Sequence, residues 1–530
     1  MKARPLATAA VMAAALCAFP AGAHAARGFT LGVAAGEVTD DSAVVWAHAT
    51  RPGTGLVEIT TAKNFGGQGS ISIKRVRATR ANDNTVQAKL VDLTPDETYY
   101  YRFAIGRGVS DIGSFRTAPA PNKAKTIEFA WSGDADAQNL PGQSKPFWNN
   151  FQVYARMARE KNAFNVNLGD TIYSDTEVGS QQEGGNFQPG APTALSVKAK
   201  WQKYRMNLAL RNIQRMRGTG GVYSHWDDHE FVNDFSVAEN GSKLYKDGVR
   251  AFTDYNPVTY NGRNGLYRKF RWGRNLEVFF LDQRSFRAAK ASEGGVCDNP
   301  AGSGSPDLAP TAPQSTRNVF AILVPSLRNP APPACVARIN DPNRSFLGTR
   351  QLNAFKRDVQ RSSATFKVII NETPIQQFYA LPYDRWEGYE AERQDLLTFL
   401  RDNVKNVVFL TTDTHANFIN DARLKTLEEG GPVNTGIFDV VTGPVATKNF
   451  GAEIDDATGQ PGSGKAVRDL FLKPQPPNGV GMQCAVVDKF SYGQVRVTSN
   501  RLTITLKDDA GRQLTESEGN PCGPVVIDAK

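Results

Sequence analysis

From Phe29 to about Ala120 the chain reads as short alternations of apolar and polar residues. Runs at Ser42–Ala49, Gly55–Thr61, Ser70–Ala78, Thr85–Leu90 and Thr98–Ile105 carry the period of two that a half-buried strand requires. Turn residues part them at short intervals, which predicts a small immunoglobulin- or fibronectin-like β-sandwich. Leu93–Tyr101 is similar to a tyrosine corner, in which a Tyr hydroxyl ties down a strand-linking loop. Ala118-Pro119-Ala120-Pro121 reads as the linker that closes this unit, so we place a first domain over residues 28–120. It carries no acid–His cluster, and its His48 reads as an inert core residue.

Beyond Lys125 the texture changes. Apolar runs at Ile127–Trp131, Phe164–Leu168, Gly221–Ser224, Leu276–Leu281, Phe366–Ile370 and Val407–Leu410 alternate with helical stretches. The helices are expected near Phe147–Arg159, Leu195–Met216, Ser242–Tyr255, Arg350–Gln360 and Tyr389–Asn403. Such alternation predicts an α/β domain, here over residues 121–530. Three further strands, Ile437–Val441, Gln494–Thr498 and Leu502–Leu506, are expected to pair antiparallel. Ala288–Asn343, rich in Pro, Gly, Ser and Asn, reads as a long surface insertion.

Composition narrows the class. At 530 residues, 40% hydrophobic and 22% charged, the chain is globular rather than disordered, fibrous or multi-span. Lys2 and Arg4 precede an Ala-rich apolar run, and Ala23-His24-Ala25 is a small-x-small cleavage site. Residues 1–25 therefore read as a signal peptide and the product as secreted or periplasmic. Leu16 before Cys17 is too large for the usual lipoprotein site, and no Arg-Arg pair is present. The net charge of +9 becomes +7 once Lys2 and Arg4 leave with that segment. This excess suits an anionic substrate, and no basic block marks a nucleic-acid partner. Cys297, Cys335, Cys484 and Cys522 remain, an even number that favours two disulfides in an oxidising compartment. Chain order suggests 297–335 and 484–522, among three pairings open to four cysteines.

Several apolar runs end abruptly in polar clusters. They are Ser132-Gly133-Asp134-Ala135-Asp136, Gly169-Asp170-Thr171-Ile172-Tyr173, His225-Trp226-Asp227-Asp228-His229-Glu230, Asp282-Gln283-Arg284, Asn371-Glu372-Thr373-Pro374 and Asp413-Thr414-His415. Ligands of open α/β sheets bind beyond the carboxyl ends of strands, so these clusters converge if their strands are neighbours. Of four mature histidines three lie here. Carboxylate, imidazole and amide donors suit Ca, Mn, Fe or Zn. On an extended strand end Asp134 and Asp136 share one face and both reach the centre. Asp170 is placed to bridge two metals, and a Tyr173 phenolate favours trivalent iron. Asp282 and Arg284 read either as a structural pair or as an Arg clamp on phosphate oxygens.

The ordered set resembles the PhoD-like alkaline phosphatases, a branch of the calcineurin-like metallophosphoesterases. The resemblance implies a four-layer αββα catalytic sandwich behind the N-terminal domain. Asp134 and Asp136 stand where the superfamily opens with Asp-x-His. Asp170 takes the place of the bridging Asp, and Tyr173 that of an iron-binding Tyr. Asp228 and His229 match the Asn and catalytic His of Gly-Asn-His-Glu; Asn371 takes the place of a His ligand. Asp413 and His415 match the closing Gly-His-x-His. The resemblance implies calcium and iron, with manganese or zinc as alternatives. Gly133 and Asp134 replace the Ser-Cys of many relatives, which points to an oxygen-and-nitrogen site.

The expected activity is hydrolysis of phosphate esters, of a small molecule or an envelope polymer, by a monomer with no membrane span. Two metals about 3.5–4 Å apart would activate a hydroxide, while His229 serves the leaving oxygen and Arg284 the equatorial ones. A phospholipase-D-like or nuclease phosphodiesterase shares every motif. A calcium-stabilised binding protein would use the acids without turnover. A zinc peptidase is disfavoured, since no His-Glu-x-x-His occurs.

Overall fold

The computed structural model describes residues 28–63, 65, 72–178, 192–299, 304–322 and 324–530. The expected signal peptide lies outside them. The first domain is built from β1 (Phe29–Gly36), β2 (Ala43–Ala49), β3 (Gly53–Thr60), β4 (Ser72–Ala78), β5 (Thr85–Leu90), β6 (Thr98–Ile105), β7 (Gly108–Val109) and β8 (Gly113–Arg116). One antiparallel sheet runs β1-β2-β5 and a second β4-β3-β6-β7, with β8 on β6. Alternate residues such as Val45, Ala47, Val57, Ile59, Tyr101 and Phe103 share a core between them, as the period of two demands. The Tyr99 hydroxyl accepts a hydrogen bond from the Thr94 backbone N–H at 2.9 Å, the expected corner.

The second domain holds β9 (Ile127–Ser132), β10 (Phe164–Leu168), β11 (Gly221–His225), β12 (Arg268–Trp272), β13 (Leu276–Phe280), β14 (Phe366–Asn371), β15 (Val407–Thr411), β16 (Asn417–Lys425), β17 (Val433–Val441), β18 (Cys484–Val486), β19 (Ser491–Val497), β20 (Arg501–Asp508) and β21 (Val525–Asp528). They form two mixed sheets, β11-β10-β9-β19-β20-β21 and β12-β13-β14-β15-β17-β16-β18. β9 to β11 are mutually parallel, as are β13, β14, β15 and β17. β10, β11, β13, β14 and β15 are buried along their whole length, which explains their continuous apolar runs. Phe129, Trp131 and Val166 of one sheet share a core with Val278, Val368 and Val408 of the other. Apolar faces of Gln152–Met157 and Val197–Leu208 pack on the first sheet, and those of Thr349–Arg361 and Glu390–Asn403 on the second.

The expected helix Leu195–Met216 is two, Val197–Leu208 and Arg211–Gly218. The strand Ile437–Val441 does not join the C-terminal hairpin. It is the end of β17, parallel to β15 and antiparallel to β16 in the seven-stranded sheet, while β19 and β20 pair antiparallel in the other. Its apolar residues fit either neighbour, so composition could not assign it.

Disulfides Cys297–Cys335 and Cys484–Cys522 are both present. The first staples the insertion across 38 positions. Replacing Cys297 and Cys335 together by Ser is expected to lower unfolding stability by about 4 kcal/mol on the chain-entropy argument, read from denaturant melts.

The sandwich is bolted to the back of the second domain. Trp46 Nε1 donates to Asp254 O at 2.8 Å, Tyr223 Oη to Val38 O at 2.5 Å, and Arg268 pairs with Glu37 at 2.5 Å. These contacts involve β11, β12 and the helix Val237–Tyr255 rather than the cleft.

Candidate metal centre

The carboxyl ends of both sheets meet at one edge. Trp131 Nε1 donates to Thr411 O at 3.2 Å, and Thr412 Oγ1 to Leu168 O at 3.1 Å, which ties β9 and β10 to β15 across the core. Asp134, Asp170, Asp228 and His229 emerge beyond β9, β10 and β11; Asp413 and His415 emerge beyond β15.

The turns that carry these ligands are unusual. Asp134, Asp170, Asp413 and His415 all have positive φ, of 61°, 44°, 69° and 50°. Each such non-glycine residue costs about 1–3 kcal/mol and persists only where its surroundings fix it, commonly at functional sites. Gly133 makes the first turn feasible, since a Cβ there would lie 1.7 Å from Leu168 O. Gly443, at φ +124°, leaves room for Asp134, whose Oδ2 would stand 2.5 Å from an added Cβ.

Four groups of candidate ligands lie among the described residues; one gathers Asp227, Asp228 and Asp413, and two others share Asp170. Donor atoms of Asp134, Asp170 and His415 lie within 4.8 Å of one another, and so do those of Asp170, Asp228 and His229. Tyr173 joins them, its hydroxyl 3.0 Å from His415 Nε2 and its ring centroid 4.2 Å from that of His229 at a tilt of 32°. Each imidazole is held by a carboxylate behind it: His229 Nδ1 lies 2.6 Å from Asp175 Oδ1, and His415 Nδ1 lies 2.7 Å from Glu453 Oε1. Such partners fix each ring and leave its other nitrogen free to face the site.

The electrostatics call for cations. Burial pushes the Asp134 carboxyl up to about 7, and burial with its acidic neighbours holds Asp170 and Asp413 well above the usual range. Burial opposes charge on both rings. Yet Asp170, Asp228 and Asp175 hold His229 well above its ordinary value, and Glu453 lifts His415 to about 9. Asp175 falls to about 2 despite its burial, through its bond to His229. Asp134 Oδ2 and Asp227 Oδ2 are buried with no hydrogen-bond donor. Buried carboxylates crowded against one another, two with orphaned oxygens, are a donor set that fits hard or borderline cations.

Other expected residues lie differently. Asp136 turns away, accepting from Thr176 Oγ1 and, at 2.9 Å, from Gln138 N. β9 ends at Ser132 and Asp134 has positive φ, so the alternation that would have aimed both acids inward has already lapsed. Asn371 ends β14 with its amide consumed: Oδ1 accepts from Gln283 Nε2 at 2.5 Å and Trp386 Nε1 at 3.3 Å, and Nδ2 donates to Thr373 O. Arg284 is fully buried. It pairs with Asp227 at 2.5 Å, Asp384 at 3.3 Å, Asp413 at 3.4 Å and Asp228 at 3.8 Å, so its guanidinium faces carboxylates rather than the cleft. His225 is a core residue whose Nε2 lies 2.8 Å from Leu281 O and 3.1 Å from Glu372 Oε1, and burial holds its pKa well below the ordinary value. Asp282 is a structural hub for Trp226, Leu266 and Ser285.

The profile of the PhoD-like phosphatases matches residues 132–506, and that of the PhoD-like phosphatase N-terminal domain matches residues 14–119. The chain belongs to the PhoD-like phosphatase family. Alkaline phosphatase D of Bacillus subtilis (strain 168) is 24% identical over 427 residues, spanning 74% of this chain and 65% of that protein. The match thus spans just under two thirds of that relative. A solved structure of PhoD superposes with a TM-score of 0.70 at 19% identity, over 94% of this chain and 95% of its own. Purple acid phosphatase PPD1 from yellow lupin (Lupinus luteus) seeds gives 0.56 at 11% identity, over 94% and 73%. Both likenesses concern the fold.

Within this PhoD-like centre five acids escaped the sequence reading as site groups. Asp227 stands inside the Trp-Asp-Asp-His-Glu cluster and Asp175 two positions past Tyr173, so adjacency was a usable signal for both. Asp234, Asp384 and Glu453 come from a loop, the 3₁₀ turn Pro382–Asp384 and the helix Phe450–Thr458, with no strand-end pattern to mark them. Asp384 meets Asp228 and Asp234 in a further acidic group within 4.8 Å.

Proposed function

We propose that this chain is a secreted, metal-dependent alkaline phosphatase or phosphodiesterase that cleaves phosphate esters with two metal ions. One observation carries the reading: Asp170 belongs to both ligand sets, so a single carboxylate stands where two cations would meet. Asp134, Asp170, His415 and Tyr173 would hold one, and Asp170 and Asp228 the other, with His229 beside them as the proton donor. Calcium and iron follow from the family, and manganese or zinc suit the same donors. When bound, the metals supply Lewis-acid polarisation of the phosphoryl group and a nucleophile at moderate pH.

The remaining work falls to side chains. His229, with Nδ1 engaged by Asp175, has Nε2 to give a proton to the leaving oxygen. Arg284 holds Asp227, Asp228 and Asp413 in place from behind and reduces their mutual repulsion. Secretion is supported by the two disulfides. No helix among the described residues is long and apolar enough to cross a membrane. The helices lining both sheets support the four-layer αββα arrangement, and the reading takes the sandwich as 28–120, the catalytic unit as 121–530 and the chain as a monomer.

The test is a panel of nitrophenyl phosphate, bis-nitrophenyl phosphate and a phospholipid, before and after chelation. We expect ester cleavage that chelation abolishes and divalent metal restores. Cleavage confined to the phospholipid would favour the phospholipase reading; metal retention without any turnover would favour a calcium-stabilised binding protein.

A further inference from the structure

The helix Val197–Leu208 buries a polar face. Lys200, Tyr204 and Asn207 stand at i, i+4 and i+7, one stripe of an α-helix, and are 0%, 2% and 3% exposed. Asn207 Nδ2 donates to Ala135 O at 2.7 Å and to Thr171 O at 2.8 Å, while its Oδ1 accepts from Ala137 N at 3.0 Å. Ala135 follows Asp134 and Thr171 follows Asp170. The Tyr204 hydroxyl lies 3.1 Å from Thr171 Oγ1, which donates to Glu230 Oε1 at 2.5 Å. Lys200 Nζ donates to Ser174 Oγ at 2.7 Å, between Tyr173 and Asp175. It also donates to Phe231 O at 2.8 Å, two residues beyond His229. On its other side the helix is tied to the sandwich through Arg205 and Asp83.

We infer that this face is a positioning clamp, in which Lys200 and Asn207 hold the three ligand-bearing turns 134–136, 170–175 and 228–231 at the separations a metal pair requires. The inference deepens the metal-centre reading and rests on it. The bonds go to backbone carbonyls, one backbone N–H and a hydroxyl beside the ligands, never to a ligand carboxylate, so they set spacing without competing for metal. Turns that carry positive-φ acids and repel one another need such a tether in order to stay together. An apolar stripe would have packed this helix at lower desolvation cost than a buried ammonium.

The test uses the full chain, with manganese as the probe metal and a competing chelator to read affinity on folded protein. Lys200→Met and Asn207→Ser are each expected to weaken manganese binding about 10–100-fold, the range for groups that orient metal ligands, while Lys200→Arg restores most of it. Leu396→Ala, in the core under the opposite sheet, is the control: it lowers the melting temperature and leaves affinity unchanged. Equal melting losses in all three with wild-type affinity throughout would overturn the clamp, leaving those residues merely structural. If one of the two test variants fails to fold, the other decides. A wild-type chain that binds no manganese, calcium or iron would instead overturn the metal-centre reading, a result distinct from wild-type binding that the variants match.

Discussion

Asp170→Asn is expected to remove essentially all ester cleavage while leaving the fold intact. Asp170 is the one carboxylate common to both ligand sets, so its replacement by a neutral amide weakens both cation positions at once. Loss of an outer-shell group costs about 10–100-fold, and a shared ligand should exceed that, to more than about 10³-fold in kcat/KM. The amide is isosteric, and burial disfavours the Asp170 charge when no metal is present. Melting temperature without metal should therefore hold or rise, whereas the rise that metal produces in the wild type should vanish. Near-native turnover in this variant would remove the bridging role.

His229→Ala carries the second large effect, and leaving-group dependence distinguishes its mechanism. A positioned acid is worth about 10²–10⁴-fold when the leaving oxygen needs a proton, and far less when it departs as a stable anion. The variant should lose most on methyl or phenyl phosphate and least on the nitrophenyl ester. Asp175→Asn should follow the same pattern more weakly, since Asp175 holds the ring through Nδ1. An equal loss on good and poor leaving groups would mean that His229 serves the metal alone.

The parts legible in the sequence were those written locally. Asp170, Asp228, His229, Asp413 and His415 each follow an apolar run directly, and a fully buried parallel strand must end its run where the site begins. The sandwich strand β5 was legible because Val86, Ala88 and Leu90 alternate with more exposed residues, whereas β2 is an apolar run buried along its whole length. Asp136 shows where the strand rule stops: it holds only while the backbone stays extended, and Asp134 has already turned to positive φ. Asn371 occupies a ligand's position in sequence, yet Gln283 and Trp386, remote in the chain, consume its amide. Arg284 was legible as a site residue but not as a buried one, because its partners Asp227, Asp384 and Asp413 arrive from three other segments. Asp384, Glu453 and the polar face of Val197–Leu208 act through tertiary contacts alone, which no local pattern records. β17 shows the same limit for topology, since an apolar strand does not name its neighbour.

Elemental analysis of purified, active protein tests the central claim most directly. The two ligand sets around Asp170 require two equivalents of metal per chain, lost together on chelation along with activity and regained together. Full activity in a chain that carries one equivalent or less would contradict a two-metal centre.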